Sequence, residues 1–315
     1  MKTALIALGG NSLLRPEDEG TAEEQIDRMK ETCNILADMI DHGYDLVFTH
    51  GNGPQVGNIL IQNELSAETV PAMPLDICGA ESQGQIGYIF QQTLKNALEE
   101  HGIHRNIASV ITQVIVDKDD PAFEDPTKYV GPYYEKEKAE RLKEMRGWKM
   151  KKTSDDKYRR VVPSPIPKKI VEAEVIQDLV FSGEQGFIII AAGGGGVPVI
   201  EENGMIEGVE GVIDKDLASA VLASDIEETF FIMLTRVHKV YLNYGEKDER
   251  ALDRITMEEA EQYLEEGHFP PGSMGPKIKA SIHFLKGGGE KVLITSPEKL
   301  QEALKGDEGT YIVRE

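Results

Sequence analysis

Three short apolar runs in this chain pass directly into glycine-rich turns, and no other feature restricts its fold as strongly. The runs and the glycines after them lie at residues 4–8 and 9–10, 46–48 and 51–53, and 187–191 and 193–196. Continuous apolar runs of this length are typical of strands buried on both faces of a parallel sheet. Ligands of such sheets bind beyond the carboxyl ends of the strands, so we expect the functional site where these turns converge.

Helical periodicity separates the apolar runs and continues to the end of the chain. Ile26, Met29 and Cys33 recur at spacings of three and four, which places them on one face of a helix. Strands are predicted at residues 4–8, 46–48, 110–116, 187–191, 229–234, 239–242, 292–294 and 310–313. Helices are predicted at residues 23–41, 84–100, 171–181, 217–222, 257–265, 277–285 and 298–304. This alternation predicts an α/β fold with a mostly parallel sheet covered on both faces.

Residues 117–167 interrupt the alternation. They are rich in Asp, Lys, Tyr and Pro, carry a basic run at 146–152, and show little apolar periodicity. An unstructured loop of this length is uncommon in a compact domain unless it has a function. We therefore expect a protruding insertion or lid with one or two small hairpins, the alternative being an ordinary solvated loop.

The net charge of the chain indicates which classes of partner it can bind. The 34 Lys and Arg are outnumbered by 55 Asp and Glu, which gives a formal net charge of −21. Such a surface repels nucleic acid and anionic membranes, so we expect small-molecule partners. An anionic substrate would then need a local cluster of cations.

The two cysteines and the N-terminus indicate a cytoplasmic protein. Cys33 and Cys78 form no CxxC motif, which favours a reducing compartment. Cys33 is expected to be buried on a helix, whereas Cys78, at a probable helix start, could be reactive. The apolar run near the N-terminus is too short for a signal peptide or a membrane span.

The glycine turns suit a phosphate group. Glycines let backbone amides approach an anion, and the helix that follows Gly51 adds its N-terminal amides. Neither GxxxxGK[ST] nor GxGxxG follows the first strand, so a P-loop and a dinucleotide fingerprint are both unsupported. The histidines lack metal-ligand spacing, and we predict no protein metal site.

Three isolated lysines lie in or near such segments. Lys215 stands between two aspartates before a predicted helix, and Asp216 either caps that helix or orients neighbouring groups. Lys277 lies in the first turn of another helix, where the helix dipole disfavours a cation, as is expected at a phosphate site. Lys128 lies in the insertion, and taken alone it would be interpreted as a surface residue.

Six segments in order make the chain resemble the amino-acid kinase superfamily and, within it, the carbamate kinases. They are IALGGN at 6–11, FTHGNGPQVG at 48–57, AAGGGGVPV at 191–199, GVIDKDLAS at 211–219, LTRVHKVYLNYG at 234–245 and GSMGPK at 272–277. Acetylglutamate kinase and several other members carry a lysine where this chain has Ala7. In the carbamate kinase pattern Lys128 replaces that cation, and this chain has both the loss and the replacement.

The resemblance implies a fold and an assembly. The fold is an open three-layer αβα sandwich with a small protruding subdomain at 117–167, and the assembly is a homodimer. Residues 1–220 would form the acceptor-binding lobe and residues 221–315 the nucleotide-binding lobe.

It also implies roles for individual residues. Catalysis would rest on Lys128, Lys215, Lys277 and Asp216. The acceptor and the transferred phosphoryl group would bind to Gly9, Gly10, Asn11, Gly51, Asn52 and Gly53. The nucleotide would bind to Gly194, Gly195, Lys215, Asp216, Tyr244, Met274 and Lys277.

The implied reaction is reversible phosphoryl transfer between ATP and carbamate, giving ADP and carbamoyl phosphate, with Mg²⁺ on the ATP phosphates. Carbamate is already an anion, so no general base is required, and positioning and electrostatics carry the catalysis. The residues do not set the physiological direction, which could be ATP generation in arginine fermentation or carbamoyl phosphate supply. The alternatives are another enzyme of the superfamily, acting on an acylated amino acid or a nucleotide monophosphate, and a non-catalytic effector-binding protein of the same fold.

Overall fold

The computed structural model describes residues 2–10, 13–15, 17–182, 186–270 and 272–315. Its strands are β1 Lys2–Leu8, β2 Tyr44–His50, β3 Ile107–Ser109, β4 Gln113–Val116, β5 Lys128–Tyr134, β6 Met150–Lys152, β7 Tyr158–Val162, β8 Pro167–Ile170, β9 Ile188–Ile190, β10 Val197–Glu202, β11 Met205–Gly208, β12 Phe230–Leu234, β13 Val240–Leu242, β14 Arg250–Leu252, β15 Arg254–Thr256, β16 Lys291–Thr295 and β17 Thr310–Val313. Its helices are α1 Ala22–Asp41, α2 Gly53–Ser66, α3 Leu75–Glu100, α4 Lys136–Arg146, α5 Ala173–Val180, α6 Lys215–Asp225, α7 Met257–Glu265, α8 Met274–Lys286 and α9 Leu300–Lys305.

An eight-stranded sheet in the order β15-β17-β16-β12-β1-β2-β9-β3 forms the centre of the fold. The six strands from β16 to β3 are parallel, and β17 returns antiparallel to β16 at one side. In the β1–β2 ladder Leu8 pairs with His50, so the two strands end at the same edge. The first two glycine turns therefore emerge side by side, and the mostly parallel sheet predicted from the sequence is confirmed.

Helices cover both faces of this sheet. Along β1 the side chains alternate, so that Leu5 and Ala7 join a core cluster with residues of α5, α6 and α8. Ala4, Ile6 and Leu8 point the other way and pack with residues of α1, α3 and α9. Every one of these β1 side chains has 0% exposure. The result is the three-layer αβα sandwich that the resemblance implied.

The start of α1 shows how local sequence sets an element boundary. The Thr21 hydroxyl accepts a hydrogen bond from the Glu24 amide, and the Glu24 carboxylate accepts one from the Thr21 amide. This capping box satisfies two amides that the first helical turn leaves unpaired. The predicted apolar face is buried, since Met29 and Cys33 both have 0% exposure.

The strand predicted at 110–116 is wrong as a single element. Residues 107–109 belong to the main sheet as β3, whereas residues 113–116 form β4 in a second sheet, ordered β11-β10-β4-β8. Between them the amide of Thr112 donates to Oε1 of Gln83 at 2.9 Å, and its carbonyl accepts from Nε2 of Gln83 at 3.1 Å. A side chain of α3 thus pairs with the backbone where the chain passes from one sheet to the other, and the Thr112 carbonyl also accepts from the Val197 amide at the start of β10.

Residues 128–162, the part of the predicted 117–167 insertion that we call the subdomain from here on, contain more structure than one or two hairpins. Strands β5, β7 and β6 form an antiparallel sheet, and α4 packs on it around a small core of Tyr134, Ala139, Leu142 and Met150. Helix α4 was not predicted. Its buried residues are only Ala139 and Leu142, so its sequence shows almost no apolar period.

Both thiols are buried, and burial raises their pKa values. The pKa of Cys33 rises to about 12 and that of Cys78 to about 11. Cys78 has 0% exposure, and burial keeps its thiol protonated, which disfavours the reactivity suggested by its position because the thiolate is the reactive form. Among the described residues, no helix is long and apolar enough to cross a membrane.

Candidate active site

A cleft of about 1070 Å³ opens at the carboxyl ends of the central strands, where the sequence places the site. The turns after β1 and β2 form its floor, and the start of α6 and of α8 form one wall. The inner end of β5 contributes Lys128, Tyr129 and Val130 from the subdomain. The cleft lies where several connections diverge from one sheet edge.

Two lysines share one buried carboxylate at the centre of the cleft. Nζ of Lys215 lies 2.6 Å from Oδ1 of Asp216, and Nζ of Lys277 lies 2.8 Å from Oδ2. Burial alone would raise the pKa of Asp216, but the two ammonium groups lower it to about 2. The carboxylate is therefore ionised at neutral pH and holds two positive charges in a fixed arrangement.

The N-cap of α6 is Asp214, which decides between the two interpretations of Asp216. Oδ1 of Asp214 accepts hydrogen bonds from the amides of Asp216 and Leu217 at 3.0 and 3.4 Å. Asp216 is then free to hold the lysines. The other oxygen of Asp214 lies 3.6 Å from Nζ of Lys128, so the capping residue also faces the subdomain.

The first two glycine turns lie against each other below Lys215. A Cβ on Gly51 would lie 3.6 Å from Cδ of Lys215 and 3.9 Å from the amide nitrogen of Gly10. A Cβ on Gly9 would lie 2.9 Å from the carbonyl oxygen of Leu234 at the end of β12. The approach at Gly9 leaves no room for a side chain, whereas the distances at Gly51 are ordinary van der Waals contacts and show only that the two turns and Lys215 are neighbours. Asn11, predicted to bind the acceptor, lies outside the described residues.

The third glycine turn, at residues 193–196, packs against Asn52 of the second glycine turn. Gly194 has a left-handed φ of 66°, and a Cβ there would lie 2.1 Å from Nδ2 of Asn52. Asn52 in turn donates to the Ser82 hydroxyl at 2.8 Å, and it lines the cleft together with Gly53 and Gly194. Gly195 is buried instead: a Cβ there would lie 2.4 Å from the Ile213 carbonyl oxygen, and Gly195 is not among the described residues that line the cleft.

The two residues expected beside adenine and ribose line the cleft as well. Tyr244 is 60% exposed, and its ring lies 5.6 Å from that of Tyr241. Met274 opens α8, one turn before Lys277. These side chains give the cleft an aromatic and apolar end next to its cationic centre.

His50 lies beneath the turns and stays neutral. It is 1% exposed, and its Nδ1 faces the carbonyl oxygen of Gly51 at 3.0 Å, which fixes the proton on Nδ1. Burial lowers its pKa to about 4. Among the described residues, no cluster of three or more His, Cys, Asp or Glu could hold a metal ion.

Four arginines that line the cleft are not among the residues predicted from the sequence. They are Arg15, Arg28, Arg159 and Arg236. With them the described residues that line the cleft include seven Lys and Arg against four Asp and Glu, the reverse of the balance in the whole chain. The closeness of Arg15 and Arg236 to motif segments could have signalled them, but Arg159 reaches the cleft only through the pairing of β7 with β5.

Known proteins resemble the chain over its whole length. The family model described as the amino acid kinase family matches residues 2–296. A carbamate kinase of Thermococcus kodakarensis is 49% identical over 100% of both chains, and one of Pyrococcus furiosus is 50% identical over 99% of both. The solved structure of carbamate kinase from Giardia lamblia bound to AMP-PNP superposes with a TM-score of 0.94 at 39% identity, covering 99% of this chain and 98% of that one.

Proposed function

The chain belongs to the amino acid kinase family, and from this membership we propose how its cleft carries out phosphoryl transfer. The reaction is that of a carbamate kinase: the γ-phosphoryl group of ATP passes to carbamate, giving ADP and carbamoyl phosphate, and the reverse. The observation that carries the assignment of roles is the pair of lysines on Asp216, directly above two glycine turns.

Lys215 and Lys277 neutralise the charge of the migrating phosphoryl group. In the transition state that group spreads negative charge over its equatorial oxygens, so fixed cations stabilise it more than they stabilise the ground state. Asp216 keeps both ammonium groups within 2.8 Å of its oxygens, which spares the enzyme the cost of gathering them during the reaction.

The acceptor lies at the other end, between the turns after β1 and β2 and Lys128. The first-turn amides of α2, which begins at Gly53, point toward the site and favour an anion. Carbamate is already ionised, so its oxygen attacks directly, and neutral His50 is not required as a base. Asn11 is proposed as a further acceptor ligand from its place after Gly10.

ATP and ADP bind with their phosphates near Lys277 and their base near Tyr244 and Met274, and Gly194 contacts the phosphates from below. The Mg²⁺ that accompanies ATP would be held mainly by phosphate oxygens. This fits the cleft, because both carboxylate oxygens of Asp216 are already engaged by lysines.

The proposal extends to the division into lobes, the localisation and the assembly of the protein. Residues 1–220 form the acceptor lobe with the insertion at 117–167, and residues 221–315 form the nucleotide lobe. The enzyme acts in the cytoplasm, in arginine metabolism, as a homodimer. Ile77 and Tyr88 on α3, which are 43% and 63% exposed, support a dimer surface on this helix.

A coupled assay for ATP formation tests the proposal. Purified protein with ADP and Mg²⁺ should form ATP from carbamoyl phosphate and much more slowly from acetyl phosphate. Equal rates with both donors would contradict carbamate as the acceptor. Absence of turnover with either donor, together with turnover of ATP and an acylated amino acid, would favour the other branch of the family, and binding of nucleotide without any turnover would indicate a non-catalytic protein.

A further inference from the structure

The carboxylate of Glu64 joins the main domain to the far end of the strand that carries Lys128. Oε2 of Glu64 accepts a hydrogen bond from the Tyr134 hydroxyl at 2.5 Å, and Oε1 lies 2.8 Å from Nζ of Lys138. Tyr134 ends β5 and Lys138 lies in α4, so both partners belong to the subdomain. The Glu64 side chain is 13% exposed and the Tyr134 residue 4%, so water competes weakly for these contacts.

Glu64 and the acceptor site occupy opposite ends of one helix. Helix α2 begins at Gly53, which lines the cleft, and Glu64 lies eleven residues later, about 16 Å along the axis at 1.5 Å per residue. Strand β5 runs beside it from Lys128 in the cleft to Tyr134, about 20 Å at 3.3 Å per residue. Both elements therefore extend from the cleft at one end to the contact between Glu64 and Tyr134 at the other.

Between these ends lies an apolar contact that can act as a pivot. Val130 of β5 and Val162 of β7 pack with Val56 and Ile59 of α2. Lys128 lies two residues to one side of Val130, and Tyr134 four residues to the other, roughly 7 and 13 Å at 3.3 Å per residue. If the subdomain, joined by its own core of Tyr134, Ala139, Leu142 and Met150, turned as one body about this contact, a displacement at Tyr134 would move Lys128 by about half as much in the opposite direction.

The pairing of β5 with β7 is not sufficient to fix the position of the outer part of β5 relative to α2. Its pairing with β7 shifts register between Val130 and Tyr133, and Gly131 within the shift has a left-handed φ of 67°. The ladder is disrupted here and the strand bends, so the pairing with β7 does not by itself fix where Tyr134 lies against α2. The outer half of the strand needs an anchor of its own, and among the described residues the Glu64 carboxylate is the hydrogen-bond acceptor of Tyr134.

We propose that Glu64 is a positioning residue for catalysis: it fixes the tilt of the subdomain and thereby the place of the Lys128 ammonium group over the acceptor. This inference rests on the role proposed above for Lys128. A misplacement of a reacting or stabilising group by about 1 Å is enough to slow an enzyme substantially.

A double-mutant cycle tests the inference. Glu64→Gln and Tyr134→Phe should each lower kcat/KM for carbamoyl phosphate about tenfold, the scale expected for loss of a hydrogen bond to a charged group. KM for ADP should stay within about twofold, because the nucleotide end is not touched. In a Lys128→Ala background, Glu64→Gln should have no further effect, since the group it positions is gone. Glu68→Gln is the matched control, an exposed glutamate four residues later.

The kinetic results distinguish the proposed role of Lys128 from the positioning role of Glu64. If Lys128→Ala itself leaves kcat/KM unchanged, the role of Lys128 is wrong, whatever Glu64 does. If Lys128→Ala slows the enzyme but Glu64→Gln lowers kcat/KM equally in both backgrounds, Glu64 acts only through stability and the inference is overturned.

Hydrogen exchange gives a readout that needs no turnover, and it decides the question if Lys128→Ala is too slow to measure. Backbone amides of residues 128–134 should exchange faster in Glu64→Gln than in the wild type, and at the wild-type rate in Glu68→Gln. Unchanged exchange in Glu64→Gln would refute the anchoring role.

Discussion

At the scale of single residues, the cleft depends on one carboxylate holding two ammonium groups. Asp216 is 4% exposed, and an isolated buried charge would be strongly disfavoured. Lys215 and Lys277 compensate it, and because each lysine has a separate oxygen, the loss of one leaves a pair rather than an orphan. This predicts that either lysine can be removed without unfolding the protein.

Lys215→Ala and Lys277→Ala should each lower kcat by about 10²–10³-fold, the usual cost of removing one group that stabilises transition-state charge. The free energy of unfolding should change by no more than about 2 kcal/mol, because Asp216 keeps one partner. Steady-state kinetics and urea unfolding measure the two effects. Near-normal turnover in either variant would remove that lysine from the mechanism.

His50 makes stability depend on pH. Its pKa is about 6.5 in the unfolded chain and about 4 in the folded protein, so the unfolded state binds the proton more readily. The contribution of neutral His50 is complete above about pH 6.5 and is lost as the pH falls toward 4, by up to about 3 kcal/mol.

Urea unfolding between pH 7 and 4 should therefore show a flatter pH dependence for His50→Gln than for the wild type. His104→Gln is the control, since the side chain of His104 is 76% exposed. A wild-type slope in His50→Gln would show that the buried imidazole takes up its proton as easily as an exposed one.

At the scale of elements, the third glycine turn supports a residue of the second. Gly194 and Gly204 both have left-handed φ angles, 66° and 77°, but their surroundings differ. A Cβ on Gly194 would meet Asn52 at 2.1 Å, whereas a Cβ on Gly204, at the tip between β10 and β11, would have no atom within 4 Å. The two positions separate backbone strain from contact with the site.

Gly204→Ala should cost about 1 kcal/mol of unfolding free energy, the usual penalty for a left-handed alanine, and leave kcat/KM unchanged. Gly194→Ala should cost more and also lower kcat/KM at least tenfold, because it displaces Asn52 at the acceptor site. Urea unfolding and the ATP-forming assay distinguish the two. If both variants lose the same stability and no activity, Asn52 does not depend on the third turn.

At the scale of the whole molecule, charge is divided between two parts. The subdomain at 128–162 contains 12 Lys and Arg against 6 Asp and Glu, whereas the rest of the chain contains 22 against 49. Both substrates are anions, so the acidic body repels them and the basic subdomain at the cleft attracts them. A field of this kind raises the rate of encounter without changing the chemistry.

We therefore expect kcat/KM to fall severalfold between about 10 mM and 0.3 M salt, as the screening length drops from about 30 Å to below 10 Å. Arg141→Glu, on the exposed face of α4, should lower kcat/KM about twofold at low salt only, with kcat unchanged. The control is Lys95→Glu on α3, about 30 Å along that helix from Leu75, which packs against the subdomain. Equal effects of the two variants would argue against steering by the subdomain.

The sequence alone determined most helices and strands and the chemistry of the site, because both depend on patterns of residues that are close together in the sequence. Continuous apolar runs specified the central strands, spacings of three and four specified α1, and glycine-rich turns marked the edge of the sheet where the cleft lies. The candidates Lys215, Lys277 and Lys128 stood out because a cation is unusual beside such turns in an acidic chain.

The tertiary structure alone decided what depends on distant partners. Gln83 ended the strand predicted at 110–116, Asp214 rather than Asp216 capped α6, and β7 carried Arg159 into the cleft. Lys277 and Asp216 are 61 residues apart in sequence, and Tyr134 and Glu64 are 70 apart. A local pattern reports which face of an element is buried but not which residue another element brings against it, since that depends on how the whole chain packs.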